Sequence, residues 1–141
     1  MKMAFPPVTA LLTVSNVEEA LEFYGRAFGL KLFSEPLKNP ATGEIYHANL
    51  AHGEGVIMLG LPSPGMYAKP PVVSCVDCPM SLYLLVDDVD EHYLRAREAK
   101  AETISPPADM FWGDRVYSAK CPQGYHWNFA THTGKFSAPS V

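Results

Sequence analysis

Ala10-Leu-Leu-Thr-Val-Ser-Asn-Val-Glu-Glu19 returns 72 positions later as Leu82-Tyr-Leu-Leu-Val-Asp-Asp-Val-Asp-Glu91. In each copy an apolar run ends at Asn16 or Asp88, and a glutamate follows three residues on, at Glu19 or Glu91. This pattern predicts a strand that runs into a helix. The Asn or Asp side chain accepts the amide of the third helical residue, and the glutamate reaches back to the cap's own N–H. The first helix then reads Val17, Ala20, Leu21, Phe23, Tyr24, Ala27 and Phe28 before Gly29. That is an apolar stripe at helical spacing with a glycine stop. The second reads Val89, Tyr93, Leu94, Ala96 and Ala99 and runs out near Ala101. Neither is apolar all round, so each is expected to cover one face of a sheet.

The repeat continues downstream with a shift of 70. Gly43-Glu-Ile-Tyr-His-Ala-Asn-Leu50 falls on Gly113-Asp-Arg-Val-Tyr-Ser-Ala-Lys120, and His52-Gly-Glu-Gly-Val-Ile-Met-Leu59 on Pro122-Gln-Gly-Tyr-His-Trp-Asn-Phe129. Each pair reads as strand, glycine turn, strand. A shorter strand is expected after each helix, from Lys31 to Ser34 and from Glu102 to Ser105. The organisation is therefore α+β: one domain over residues 1–141, built from two βαβββ modules at about 7–61 and 80–133. The linker between them, about residues 62–79, holds Pro62, Pro64, Pro70, Pro71 and Pro79, which argues against a helix or a central strand there.

Composition narrows the function classes. Of the 141 residues 48% are hydrophobic and 18% charged, which supports a sizeable core and excludes a disordered chain. With 11 Lys+Arg against 15 Asp+Glu, a net charge of −4 and no basic run, nucleic acid is not an expected partner. No apolar run is long enough for a membrane span. The start, with Lys2, Pro6 and Pro7, makes a poor secretory leader, and 3 cysteines make no disulfide framework. A soluble, cytoplasmic protein is expected.

Paired βαβββ modules in so short a chain resemble the vicinal oxygen chelate superfamily of glyoxalases, bleomycin-resistance proteins and dioxygenases. Val14-Ser-Asn-Val-Glu-Glu-Ala-Leu-Glu-Phe-Tyr24 with Ala27-Phe28-Gly29 looks like the family's first strand–helix unit, and Val86-Asp-Asp-Val-Asp90 like the start of the second. Trp112-Gly-Asp-Arg115 and Cys121-Pro-Gln-Gly-Tyr-His-Trp127 are similar to the closing hairpin of the bleomycin-resistance-like branch. The resemblance implies a curved, mostly antiparallel sheet around a cleft, helices on the convex side, and homodimers. It also implies four metal-ligand places, which carry over to Thr9, Met58, Ser81 and Asn128. None of these is a carboxylate or an imidazole. A thioether suits soft metals, and hydroxyl and amide oxygens are weak neutral donors. No metal site and no cofactor are expected; a divalent metal enters only if the chain is a metal-dependent enzyme.

Period-2 alternation assigns the rest of the cup. Leu11 and Thr13 share the face of Thr9, Tyr83 and Leu85 that of Ser81, and His126 and Ala130 that of Asn128. A four-residue turn from His52 to Gly55 sets Ala51 against Val56 and Asn49 against Met58, and places His47 and Asn49 inside. The equivalent hairpin places Arg115 and Tyr117 inside, with Phe111 and Trp112 as a roof on a Pro-rich loop. Arg115 has Asp114 or Asp109 as an alternative ion-pair partner. Leu12, Val14, Ile57, Leu59, Leu82, Leu84, Val86, Trp127 and Phe129 fall on the opposite face, under the helices.

This lining suits a binding cleft. His47 and His126 are the candidates for acid–base work, against the plainer role of hydrogen-bonded wall residues. His132 continues the last strand near its exposed end, His52 lies in a turn and His92 on the second helix. Cys75-Val-Asp-Cys78 is a C-x-x-C pair in a proline-rich context foreign to redox or zinc motifs. The expected function is metal-free binding of a small molecule. Few carboxylates face the cup, so a flat aromatic or neutral ligand fits better than a cationic antibiotic. The alternative is a metal-dependent lyase, isomerase or dioxygenase of the same superfamily. A regulatory interaction module has no specific support.

Overall fold

The computed structural model describes residues 5–62 and 69–137. The chain divides into two compact units, Met1–Cys75 and Val76–Val141. The first contains β1 (Ala10–Thr13), α1 (Val17–Phe28), β2 (Lys31–Leu32), β3 (Leu37–Lys38), β4 (Ile45–His52), β5 (Gly55–Gly60) and α2 (Pro71–Ser74). The second contains β6 (Ser81–Leu85), α3 (Val89–Glu98), β7 (Glu102–Asp109), β8 (Trp112–Lys120) and β9 (His126–Phe136).

Each unit carries its own mixed sheet. The order is β1-β5-β4-β2 in the first, with β3 also on β4, and β6-β9-β8-β7 in the second. In both, the strand before the helix pairs in parallel with the unit's last strand: β1 with β5, and β6 with β9. The other pairings are antiparallel. The fold is thus α+β, a βαβββ module made twice, with two-residue β3 and one-turn α2 as additions. No described helix is long and apolar enough to cross a membrane.

Local chemistry explains the strand–helix units. Asn16 accepts the amide of Glu19 at 2.9 Å, and Asp88 that of Glu91 at 3.1 Å. Each cap satisfies an N–H that has no partner within its helix. Helix α1 stops at Gly29, whose φ of 72° is left-handed, a conformation that costs glycine no side-chain clash. Val17, Ala20, Phe23, Tyr24, Ala27 and Phe28 are buried along one side of α1, and Leu12, Ile57 and Leu59 in the strands of the same unit are buried too, with Val14 just after β1. Helix α3 ends at Glu98, earlier than the stripe to Ala101 suggested, and Leu94 is exposed.

In the second unit, Trp127 stacks on Phe129 and Phe129 on Tyr117, at centroid distances of 6.0 and 5.3 Å. His92 of α3 lies 4.3 Å from the Phe129 ring and Tyr93 lies 5.2 Å from Tyr117. Thr131 Oγ1 accepts from the Val89 amide at 2.8 Å and donates to the Val86 carbonyl at 2.9 Å, which pins the first turn of α3 to β9. Burying each large apolar side chain contributes roughly 1.5–3 kcal/mol, so Tyr117 and Phe129 help hold α3 on its sheet together with the buried Val89 and Ala96.

Two expectations need correction. The linker contains one helical turn, Pro71–Ser74. Its prolines open the turn, where a missing N–H costs nothing. Strand β7 runs on through Pro106 and Pro107 to Asp109, where a Pro-rich loop was expected. It is an edge strand with register shifts, the place where a sheet tolerates proline.

Substituting either cap tests the strand–helix units one at a time. Asn16→Ala and Asp88→Ala should each cost about 1 kcal/mol in urea unfolding, with an unchanged m-value. An unaltered midpoint in both variants contradicts the capping account.

Candidate functional site

On the first sheet, the face turned away from α1 carries a row across three strands. Leu11 lies opposite Met58, and Met58 opposite Asn49. His47 Nε2 is 2.9 Å from Asn49 Oδ1, and Asn49 Nδ2 donates to Ser34 Oγ at 3.1 Å. With the amide in this orientation, His47 carries its hydrogen on Nε2. His47 lies opposite Gly60, where a Cβ would meet Leu11 Cδ1 at 3.8 Å and His47 Nδ1 at 3.9 Å. Thr9, just before β1, donates to the Pro6 carbonyl at 3.3 Å.

The second sheet repeats the row with different chemistry. Tyr83 lies opposite Asn128, and Asn128 opposite Ser118. Asn128 Oδ1 accepts from Ser118 Oγ at 2.7 Å, and its Nδ2 donates to the Leu82 carbonyl at 3.2 Å. Ser81 lies opposite His126 at the start of β6, and His126 Nε2 is buried with no hydrogen-bond partner among the described residues.

Tyr117 and Arg115 do not lie on this face. Tyr117 is fully buried on the helix side, with its hydroxyl 2.5 Å from His92 Nδ1, and burial pushes its phenol well up. Arg115 pairs with Asp90 of α3 at 3.1 Å and with Asp109 at 3.3 Å, leaving Asp114 free of it. The physical reason is a turn longer by an odd number of residues, five between Lys120 and His126 against two between His52 and Gly55. Nine positions separate Asn49 from its partner Met58, and ten separate Ser118 from Asn128. A slip of one residue turns every side chain of a strand to the other face.

The slip brings Asp114 to the helix-free side, opposite His132. There it anchors a network that spans three strands. Tyr83 donates its hydroxyl hydrogen to Asp114 Oδ2 at 2.5 Å, and Trp112 Nε1 donates to the Tyr83 hydroxyl at 3.0 Å. His132 Nδ1 lies 2.9 Å from Asp114 Oδ1. Asp114 is only 9% exposed. The hydrogen bonds from Tyr83 and His132 hold its carboxyl below the ordinary value, while burial and then the bond to Asp114 raise the Tyr83 phenol. Phe111 stands edge-on to Trp112 at 5.1 Å, and His132 faces Phe136 at 6.3 Å. Tyr83, Phe111 and Trp112 remain 46%, 45% and 39% exposed. Sequence reading had Tyr83, Phe111 and Trp112 but missed Asp114 and the role of His132. The longer Cys121–Tyr125 turn, with its Pro122 and Gly124, was the available signal.

The donors at the four places carried over from the resemblance, Thr9, Met58, Ser81 and Asn128, do not suit a divalent cation. They supply no charge, and the Asn128 carbonyl is already used by Ser118. Among the described residues no three His, Cys, Asp or Glu side chains gather into a metal-sized cluster. Cys75 is exposed, Cys78 half-buried and Cys121 buried, all as thiols.

The network makes a pH prediction. The folded pKa of Asp114 lies below its ordinary 3.8, so its contribution is fully present above that pH and is lost as pH falls through the folded value. The stability gap between wild type and Asp114→Asn, read from urea unfolding at a series of pH values, should therefore narrow below pH 3.8. A gap constant with pH contradicts an ionised Asp114.

Comparisons with known proteins agree with this architecture. An uncharacterized protein of Mycobacterium bovis is 30% identical over 126 residues, covering 87% of this chain and 81% of that protein. TioX from Micromonospora sp. ML1 superposes with a TM-score of 0.69 at 26% identity, covering 96% of this chain and 99% of that one. A glyoxalase/bleomycin resistance protein/dioxygenase from Nocardioides shares the fold, with a TM-score of 0.64 at 19% identity over 99% of this chain and 92% of that one. The family profile itself matches residues 7–129, and the chain belongs to the Glyoxalase/Bleomycin resistance protein/Dioxygenase superfamily.

Proposed function

We propose that this protein binds a small molecule without a metal ion, and that the ligand is a planar aromatic held on the helix-free face of the second unit. One observation carries the reading: Tyr83 is 46% exposed, yet its hydroxyl is tied to both Asp114 and Trp112. An exposed aromatic ring usually pays conformational entropy when it takes a ligand. Here two hydrogen bonds have fixed it beforehand. Trp112 and Phe111 add two further exposed rings in edge contact. Stacking on such rings gains about 0.5–1.5 kcal/mol per pair beyond burial. The uncharged donors at Thr9, Met58, Ser81 and Asn128 support the metal-free half of the proposal.

The two tryptophans make the test direct, because Trp112 is 39% exposed and Trp127 is fully buried. A non-fluorescent, neutral planar probe, 4-nitroanisole, should quench tryptophan emission saturably in wild type. Saturable quenching should vanish in Trp112→Phe. Tyr83→Phe, which loses both anchors, should weaken binding by roughly two- to tenfold. No saturable quenching in wild type, or undiminished quenching in Trp112→Phe, contradicts the reading.

A further inference from the structure

Asp114 and His132 do more than brace Tyr83. An ionised carboxylate only accepts hydrogen bonds, so His132 Nδ1 must carry the hydrogen directed at Asp114 Oδ1 over 2.9 Å. In the neutral ring, Nε2 is then a bare lone pair. Its side chain is 62% exposed while that of Asp114 is 12% exposed, so the pair keeps its imidazole at the surface and its counter-charge inside. The carboxylate fixes the tautomer and the orientation of the ring.

The aromatic wall extends to this pair. Trp112 lies opposite Phe136 in the β8–β9 register, and the Phe136 ring faces His132. Gly113, with φ of 95°, lets Phe136 lie across the strand, since a Cβ there would come within 3.2 Å of its ring. A ring stacked on Trp112 or Tyr83 therefore has a proton acceptor at its margin. Among the described residues the charged partner of His132 is Asp114 of β8, which also holds the Tyr83 hydroxyl of β6, and Lys135 follows three residues on along β9. Arg115, next to Asp114 in sequence, is committed to Asp90 and Asp109.

We infer that His132, positioned by Asp114, accepts a proton from an acidic hydroxyl on the aromatic ligand, so that the ligand is held as its aryloxide. This rests on the reading of the preceding subsection and names the ligand class more closely. The step balances within the complex. The ligand O–H bond breaks, the proton forms a bond to His132 Nε2, and the electron pair stays on the ligand oxygen. The aryloxide then faces an imidazolium whose other N–H is bonded to Asp114. Nothing is oxidised or reduced.

The probe pair 4-nitroanisole and 4-nitrophenol differs in the acidic hydroxyl and separates the two claims. With wild type, 4-nitrophenol below its own pKa should show the visible band of the phenolate when bound. Its affinity should fall as pH rises above that pKa, because the complex must then take up a proton. His132→Phe keeps a ring at an exposed position and removes the acceptor. It should bind 4-nitrophenol in its neutral form, about tenfold or more weakly. 4-Nitroanisole should still quench Trp112 saturably in this variant, since the Tyr83 and Trp112 hydrogen bonds remain. Asp114→Asn should likewise reduce the phenolate fraction, and thermal melting of both variants checks that they are folded. A bound phenolate band that survives in His132→Phe, or a wild type that binds 4-nitrophenol only as the neutral phenol, overturns the inference while the aromatic site stands. If neither probe quenches saturably, the aromatic site and the proton pair both fall.

Discussion

The turn Cys121–Tyr125 decides what the second unit can do. It is closed by Cys121 N–H to the Tyr125 carbonyl at 3.0 Å and by Gly124 N–H to the Cys121 carbonyl at 2.9 Å. It leaves five residues between the paired Lys120 and His126, where its counterpart leaves two between His52 and Gly55. Side chains alternate along a strand, so this odd difference sends Tyr117 under α3, where it stacks on Phe129. The same difference sends Asp114 and Ser118 to the helix-free side. Core and site are two faces of one register, and neither changes alone.

The two modules use one framework for different ends. Leu11, Met58 and Asn49 form a row in the first, and Tyr83, Asn128 and Ser118 form the matching row in the second. The first row is apolar at one end and ties its polar end to His47 and Ser34. The second satisfies Asn128 internally and builds outward through Tyr83 to a buried carboxylate. A carboxylate so buried is costly unless hydrogen-bonded, and Tyr83 and His132 meet that requirement. The result is an aromatic surface braced by a buried carboxylate.

Much of this was legible in the residues. Asn16 and Asp88, each three positions before a glutamate, marked both helix starts, and the spacings of 72 and 70 marked the repeat. Of the set that alternation put under the helices, Leu12, Val14, Ile57, Leu59, Leu84, Trp127 and Phe129 are buried, while Leu82 and Val86 are half-buried. The hairpin from β4 to β5 paired as its glycine turn implied. What failed was local and specific. Transferring the first hairpin's register to the second put Tyr117 and Arg115 on the wrong face and hid Asp114, because turn length is set by backbone geometry that a shared motif does not encode. His132 looked like a frayed end because its partner lies on another strand, eighteen residues away. The prolines at 106 and 107 looked like a loop because nothing local shows that β7 is an edge.

The central claim is that this member of the superfamily works through aromatic contacts and hydrogen bonds, with no metal at Thr9, Met58, Ser81 and Asn128. Elemental analysis of the purified protein, after growth in metal-replete medium and without chelators, tests it most directly. The account predicts only substoichiometric nickel, zinc, manganese and iron. A stoichiometric metal that Asn128→Ala removes would contradict it.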